Sequence, residues 1–211
     1  LGVSLIEQGI KLGIPTTLLD IQYRMNHKIM QFSNAQFYEG KLTAHESVSE
    51  QSLVSDTHET IEFIDTAGCG YTETKDESGG ILNLGEVELI QKRIAEIELD
   101  EISVGIISPY RRQVSLIEES IIKQNKNAQT IDSFQGQEKD LIIVSLVRSN
   151  ENGIIGFLKD YRRMNVALTR AKKKLIIIGD SATIGNDTFY KNLLDYIETQ
   201  GTYRSAWEYM Y

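Results

Sequence analysis

Gly156-Phe157-Leu158-Lys159-Asp160-Tyr161-Arg162-Arg163-Met164-Asn165-Val166-Ala167-Leu168-Thr169-Arg170-Ala171, followed shortly by Leu175-Ile176-Ile177-Ile178, runs a helical pattern into a strand. The four-residue run is short, β-branched and lacks polar alternation, as in a parallel strand covered on both faces. Leu141-Ile142-Ile143-Val144 is a second run of that kind. On the helix, predicted over 162–172, Arg163, Ala167 and Arg170 share a face two turns apart. Two guanidinium groups on one face repel unless something negative joins them, and a phosphate meets that need. A solvated basic helix is the plain alternative.

Working outward, Ile61-Glu62-Phe63-Ile64 and Val104-Gly105-Ile106-Ile107 read as further strands, with 16–19 and 128–131 as weaker ones. Helical periods cover about 27–38, 84–98, 110–124 and 188–199. Asn83 with Glu86 three residues on resembles a capping box at the start of one of them. Strand-helix alternation of this kind implies an α/β fold, a doubly wound and mostly parallel sheet flanked by helices. Residues 43–60 and the glycine-containing 66–83 read as long surface connections. The 211 residues are taken as one domain, closing on an aromatic tail over 200–211.

A 41% hydrophobic content supports a sizeable core. No apolar run approaches the roughly 18 residues that span a bilayer, and the start lacks a signal-peptide pattern, so a cytoplasmic, intracellular protein without membrane contact is expected. One cysteine, Cys69, and three scattered histidines offer neither an internal disulfide nor a metal cluster, so Cys69 is read as a loop thiol and no metal site is expected. The net charge of -8 means that any nucleic acid must be held by a local basic track.

In an open α/β sheet, ligands bind beyond the carboxyl ends of the strands. After 104–107 comes Ser108-Pro109-Tyr110-Arg111-Arg112-Gln113, where Tyr110 with Arg111 offers a stacking face beside a cation. An ordinary proline-started helix would look the same. After 128–131 comes Asp132-Ser133-Phe134-Gln135-Gly136-Gln137-Glu138-Lys139-Asp140, in which Gly136 permits close backbone approach. Gln22-Tyr23-Arg24-Met25 places another aromatic and cation just past a candidate strand.

These segments, together with Phe37 to Leu42, Val147-Arg148-Ser149-Asn150 and Arg162 to Ala171, resemble the second, C-terminal RecA-like domain of superfamily 1B helicases. The branch is that of the nonsense-mediated-decay RNA helicase, the immunoglobulin-mu-binding helicase and the Okazaki-fragment nuclease-helicase. The resemblance covers nearly the whole chain. It implies a fold of the P-loop NTPase superfamily and half of an ATP-dependent helicase, a nucleotide-binding hydrolase. ATP with magnesium would sit between this lobe and a first RecA-like domain. The arginines matching Arg24 and Arg170 would reach in trans to the γ-phosphate. Tyr23 would lie near the base, Glu138 would contact the ribose, and Gln135 with Gly136 would line the phosphate side. Residues matching Ser108, Pro109, Tyr110, Thr130, Ser133 and Arg148 would follow the strand of nucleic acid, joined by Arg111 from the stacking reading.

The chain has no Gly-x-x-x-x-Gly-Lys-Ser/Thr loop and no Asp-Glu pair closing a strand. It also starts at Leu1 rather than methionine. A fragment of a larger helicase is therefore expected, inactive alone. A non-catalytic nucleic-acid-binding module is the alternative, and it would not need Arg24 and Arg170 together. Stacking and phosphate contacts serve DNA-binding and RNA-binding equally, so the choice of strand stays open. After Met25, Asn26-His27 stands where many relatives have His-Pro.

Overall fold

Runs such as Leu141 to Val144 and Leu175 to Ile178 can bury both faces only inside a sheet sandwiched by helices, and they do so here. The computed structural model describes residues 5–53, 59–97, 102–121 and 127–210, with side chains in the first span from residue 8. The elements begin with helix α1 (Leu5–Lys11), strand β1 (Ile21–Gln22), α2 (His27–Phe37), β2 (Thr43–Ala44), α3 (Glu46–Ser49) and β3 (Ile61–Asp65). Next come β4 (Thr74–Lys75), β5 (Ile81–Leu82), α4 (Leu84–Glu96), β6 (Val104–Ser108), α5 (Arg111–Ile121), β7 (Ala128–Thr130) and β8 (Lys139–Ser145). The last are α6 (Tyr161–Leu168), β9 (Ala171–Gly179), α7 (Ser181–Ile184), α8 (Thr188–Gln200) and β10 (Thr202–Ser205). Short 3-10 turns lie at Gly156–Lys159 and Ala206–Tyr209.

The main sheet has six strands in the order β10-β3-β9-β8-β6-β7, and every neighbouring pair is parallel. Side chains alternate across it. Phe63, Ile142, Val144, Leu175 and Ile177 face one core with α2, α6 and α8. Ile64, Ile106, Leu141, Ile143, Ile176 and Ile178 face the other with α4, α5 and Tyr209. No helix among the described residues is long and apolar enough to cross a membrane.

Several expectations are corrected. The strand anticipated at 16–19 forms instead at Ile21–Gln22, paired with Thr43–Ala44. The connection at 43–60 carries that partner strand and α3, with 54–58 outside the described residues. The connection at 66–83 closes into the β4–β5 hairpin, with Thr74 opposite Leu82. The helix expected over 162–172 stops at Leu168, because Ala171 already belongs to β9. Residues 98 and 122–124 of the other expected helices lie outside the described span. Cys69 lies in the turn after β3, as a loop thiol would, but is buried against the second core. In the tail, Tyr209 is buried and its hydroxyl donates to Glu62, whereas Trp207 stays largely exposed; Tyr211 is not described.

Two buried acids hold the α4 face. Glu62, fully buried, lies 2.9 Å from Arg93 and 3.0 Å from Lys174. Burial pushes its carboxyl up, but those two cations outweigh burial and hold it below the ordinary value. Glu86 has no cation beside it. The capping box is therefore only half made: Asn83 accepts from the Glu86 N–H at 3.2 Å, while the Glu86 side chain turns inward to β8. There it accepts from Ser145 Oγ at 2.6 Å and from the Val147 N–H at 2.9 Å. That bond helps hold Val147 at φ 72°, a strained position for a β-branched residue.

Burial raises the Glu86 carboxyl from 4.5 to about 8. The folded chain then keeps a proton that the unfolded chain has released, so its stabilising effect is full below 4.5 and is lost as the pH rises through about 8. Thermal melting followed across that window should show wild-type stability falling by roughly 1 kcal/mol per pH unit, with a flatter profile for Glu86→Gln, whose amide preserves the acceptor oxygen.

Candidate functional site

Arg24 leaves β1 in a loop that Gln22 organises. The Gln22 Oε1 accepts from the Arg24 and Met25 N–H groups at 2.8 and 2.7 Å, and its Nε2 donates to the Met25 carbonyl at 2.8 Å. The loop is then tied to the start of β9. The Asn26 N–H donates to the Lys172 carbonyl at 2.9 Å, and Gln51 Nε2 donates to the carbonyls of both Lys172 and Arg24. Gln51 lies in a stretch whose composition reads only as surface connection, so nothing in the sequence signals its role.

Arg170 reaches the same place from the other direction. It follows the end of α6, and its own carbonyl accepts from the Lys139 N–H at 3.1 Å, which sets it beside the start of β8. Its Nε donates to the Val166 carbonyl at 2.9 Å, and its Nη2 to Thr169 Oγ1 at 3.3 Å. Arg24 Nη1 donates to the Thr169 carbonyl, also at 3.3 Å, while its Nε pairs with Glu138 at 2.5 Å. Desolvation, then the charge of Arg24, pulls the Arg170 guanidinium below its ordinary value, with Glu138 and Tyr38 opposing. Arginine remains charged regardless. Glu138 pairs with Arg24, whereas Arg170 is held by the carbonyls of Val166 and Gln137 and the Thr169 hydroxyl, so the two cations stand together beside one carboxylate.

Around this rim, Tyr23 is 64% exposed and stacks on His45 at 4.4 Å between ring centroids. Gln135 and Gly136 are exposed on the loop whose Gln137 carbonyl accepts from Arg170 Nη1 at 3.4 Å; Gly136 has φ 85°. Glu138 is engaged by Arg24. Arg163, expected to share a helix face with Arg170, does not join the rim. It lies 3.2 Å from Asp132 and 3.5 Å from Asp160, because Arg170 has left the helix.

Residues placed along the nucleic-acid strand by resemblance lie at the opposite end of the sheet. Glu138 and Arg170 precede β8 and β9, at the amino edge, whereas Ser108, Thr130 and Arg148 close or follow β6, β7 and β8 at the carboxyl edge. The candidate residues therefore divide between the two edges of the sheet instead of all lying at its carboxyl ends. The carboxyl-end rule describes ligands cradled by the loops at those ends of a sheet, and Arg170 and Glu138 stand at the other edge.

At the carboxyl edge, Pro109, Arg111 and Thr130 line a cavity of about 440 Å³ with Phe157, Asp132 and Met164. Ser133 borders an adjacent hollow, its hydroxyl 2.9 Å from Thr130 Oγ1. Ser108 is fully buried. Tyr110, read from sequence as an open stacking face, is only 4% exposed and packs under Phe157 at 5.7 Å. Arg148 is buried too, held by Glu73 at 2.7 and 3.0 Å, with Tyr110 Oη 3.4 Å away. Burial lowers the Arg148 guanidinium, but Glu73 and Tyr110 outweigh it and raise the value above the ordinary one. Glu73 also accepts from the Ser149 N–H at 2.9 Å and Asn150 Nδ2 at 3.0 Å. Its segment had read as a surface connection, so neither Glu73 nor the exposed Phe157 was anticipated. Among the described residues, no group of three or more His, Cys, Asp or Glu side chains could hold a metal ion.

Gly156 is required here, since at φ 55° an added Cβ would lie 2.1 Å from Arg148 Nη1. Gly156→Ala should destabilise the fold by about 2–4 kcal/mol, combining left-handed strain with overlap. Denaturant unfolding measures the loss.

Comparison with known proteins matches residues 1–182 to the family described as AAA domain. The chain is 40% identical over 207 residues to "DNA-binding protein SMUBP-2" of Rattus norvegicus, covering 92% of this chain and 21% of that protein. It is 40% identical over 185 residues to "DNA polymerase alpha-associated DNA helicase A" of Saccharomyces cerevisiae, covering 77% and 27% respectively. It is 35% identical over 213 residues to the "Regulator of nonsense transcripts 1 homolog" of Drosophila melanogaster, covering 93% and 18%. The chain thus spans about a fifth to a quarter of the length of these relatives. A crystal structure of the C-terminal domain of a possible DNA helicase from a Lactobacillus aligns with a TM-score of 0.48 at 10% identity, over 87% of this chain and 98% of that one.

Proposed function

This chain belongs to the AAA-domain family, among the superfamily 1 helicases, and from that premise we propose that it is the second motor lobe of an ATP-dependent helicase or translocase. The observation that carries the reading is the meeting of Arg24 with Glu138 and Arg170 on one rim, Arg24 standing 114 residues from Glu138 in the chain.

Bound between this lobe and a first RecA-like domain, ATP supplies a γ-phosphoryl group whose transfer to water changes the charge at the interface. Phosphoryl transfer needs little covalent help and much charge neutralisation. Arg24 and Arg170 are suited to that because each stays charged and presents donors in a fixed fork. The Gln22, Asn26 and Gln51 hydrogen bonds hold Arg24 before any ligand arrives, so little reorganisation accompanies binding. Glu138 restrains Arg24 at the rim and would exchange part of that bond for phosphate or ribose. Tyr23 offers its exposed ring to the base. Any magnesium ligands belong to the other lobe.

Because the arginines meet the γ-phosphate only while it is present, hydrolysis alters the affinity of the two lobes for one another. Cycles of closure then move the carboxyl-edge track along single-stranded DNA or RNA. The isolated lobe, supplying half of the pocket, neither hydrolyses ATP nor unwinds.

In the full-length protein that carries this chain, Arg170→Ala should lower ATP turnover by about a thousandfold or more while leaving single-strand affinity nearly unchanged. Steady-state phosphate release and fluorescence anisotropy measure the two separately. Turnover that survives the substitution would refute the finger role and leave a non-catalytic binding module.

A further inference from the structure

We infer that Phe157, rather than Tyr110, is the platform on which a nucleobase of the bound single strand stacks. The inference rests on the single-strand track proposed above and names the residue that reads the base face. Tyr110 cannot present its ring, being 4% exposed, whereas Phe157 directly above it is 67% exposed.

A lone exposed phenylalanine is ordinary, but the backbone turn that carries this one is fixed, and it stands in suitable company. Its turn is fixed on both sides. Leu158 is buried, and its carbonyl accepts from the Tyr190 hydroxyl at 2.8 Å. Gly156 lies so close to the Arg148 guanidinium that a side chain there would collide with it. The Asp160 N–H closes the turn on the Phe157 carbonyl at 3.2 Å. A backbone fixed in advance leaves only the side chain to be ordered on binding.

Phe157 also stands between two hollows at the carboxyl edge. One is the cavity of about 440 Å³ that Arg111 and Pro109 line, a size within the range of small-ligand sites. The other is lined by Lys159. Arg111 and Lys159 are exposed, and neither has an acidic partner within ion-pair distance among the described residues. In a chain of net charge -8, an aromatic face flanked by two unmatched cations is complementary to a base with a phosphate on either side. Stacking is indifferent to base identity, as a translocating lobe requires.

The test uses the full-length protein that carries this chain, titrated with a labelled oligothymidylate and with an abasic strand of equal length. Phe157→Ala should weaken binding to the oligothymidylate on the order of ten- to a hundredfold, and Phe157→Trp should retain it. On the abasic strand, wild type and Phe157→Ala should bind alike. Thermal melting establishes that the variants are folded, as expected for an exposed position. Equal affinity of wild type and Phe157→Ala for the oligothymidylate overturns the inference, and so does an equally large loss on the abasic strand. Failure of the wild type to bind either strand overturns the track itself, which distinguishes that outcome from the others.

Discussion

The pairing of β8 with β9, with Lys139 opposite Ala171, governs the distribution of charge in this molecule. The residues just before those two positions are Glu138 and Arg170, so one register brings a carboxylate and a guanidinium to the same edge. A slip of one residue would turn every side chain of a buried strand to the other face, and two apolar cores forbid it. The cores thereby fix the register from Leu141 opposite Lys174 onward, and an irregularity between Lys139 and Leu141 then sets Lys139 opposite Ala171 beside the polar rim. Arg24 is added by a separate device, a loop pinned to the Lys172 carbonyl.

The two edges of the sheet treat their cations differently. At the amino edge, Arg24 is half-buried and pairs with Glu138, and among the described residues Arg170 makes no ion pair with a carboxylate. At the carboxyl edge, Arg148 is buried in a full set of partners from Glu73, so it shapes the wall beneath Tyr110 and Phe157. A cation already matched by a buried carboxylate has little left for a ligand, and exchanging its partner would leave Glu73 uncompensated. Phe157, Arg111 and Lys159 are exposed at that edge, and on the reading proposed above they are the groups that would meet a strand.

Glu86 and Glu62 show how burial alone leaves an acid undetermined. Two acids on the same face of the fold are shifted in opposite directions, because Arg93 and Lys174 stand beside one, whereas burial and the charge of Asp180 outweigh the hydrogen-bond donors that meet the other. Nothing in the local sequence around Glu62 or Glu86 distinguishes them.

By itself the sequence determined five of the six strands of the central sheet and the family, since unbroken β-branched runs and ordered motifs are local properties of the chain; β10, the half-exposed edge strand at Thr202–Ser205, reads only as part of a tail. Gln22-Tyr23-Arg24, Glu138 and Arg170 were legible as candidates for the same reason. Tertiary structure alone decided that these residues meet at the amino edge, that Arg163 departs to Asp132, and that Gln51 and Glu73 serve as anchors. It also decided that Phe157 covers Tyr110. Such facts depend on which strand ends lie side by side and on which ring closes over which, and those are set by long-range packing that no local pattern encodes.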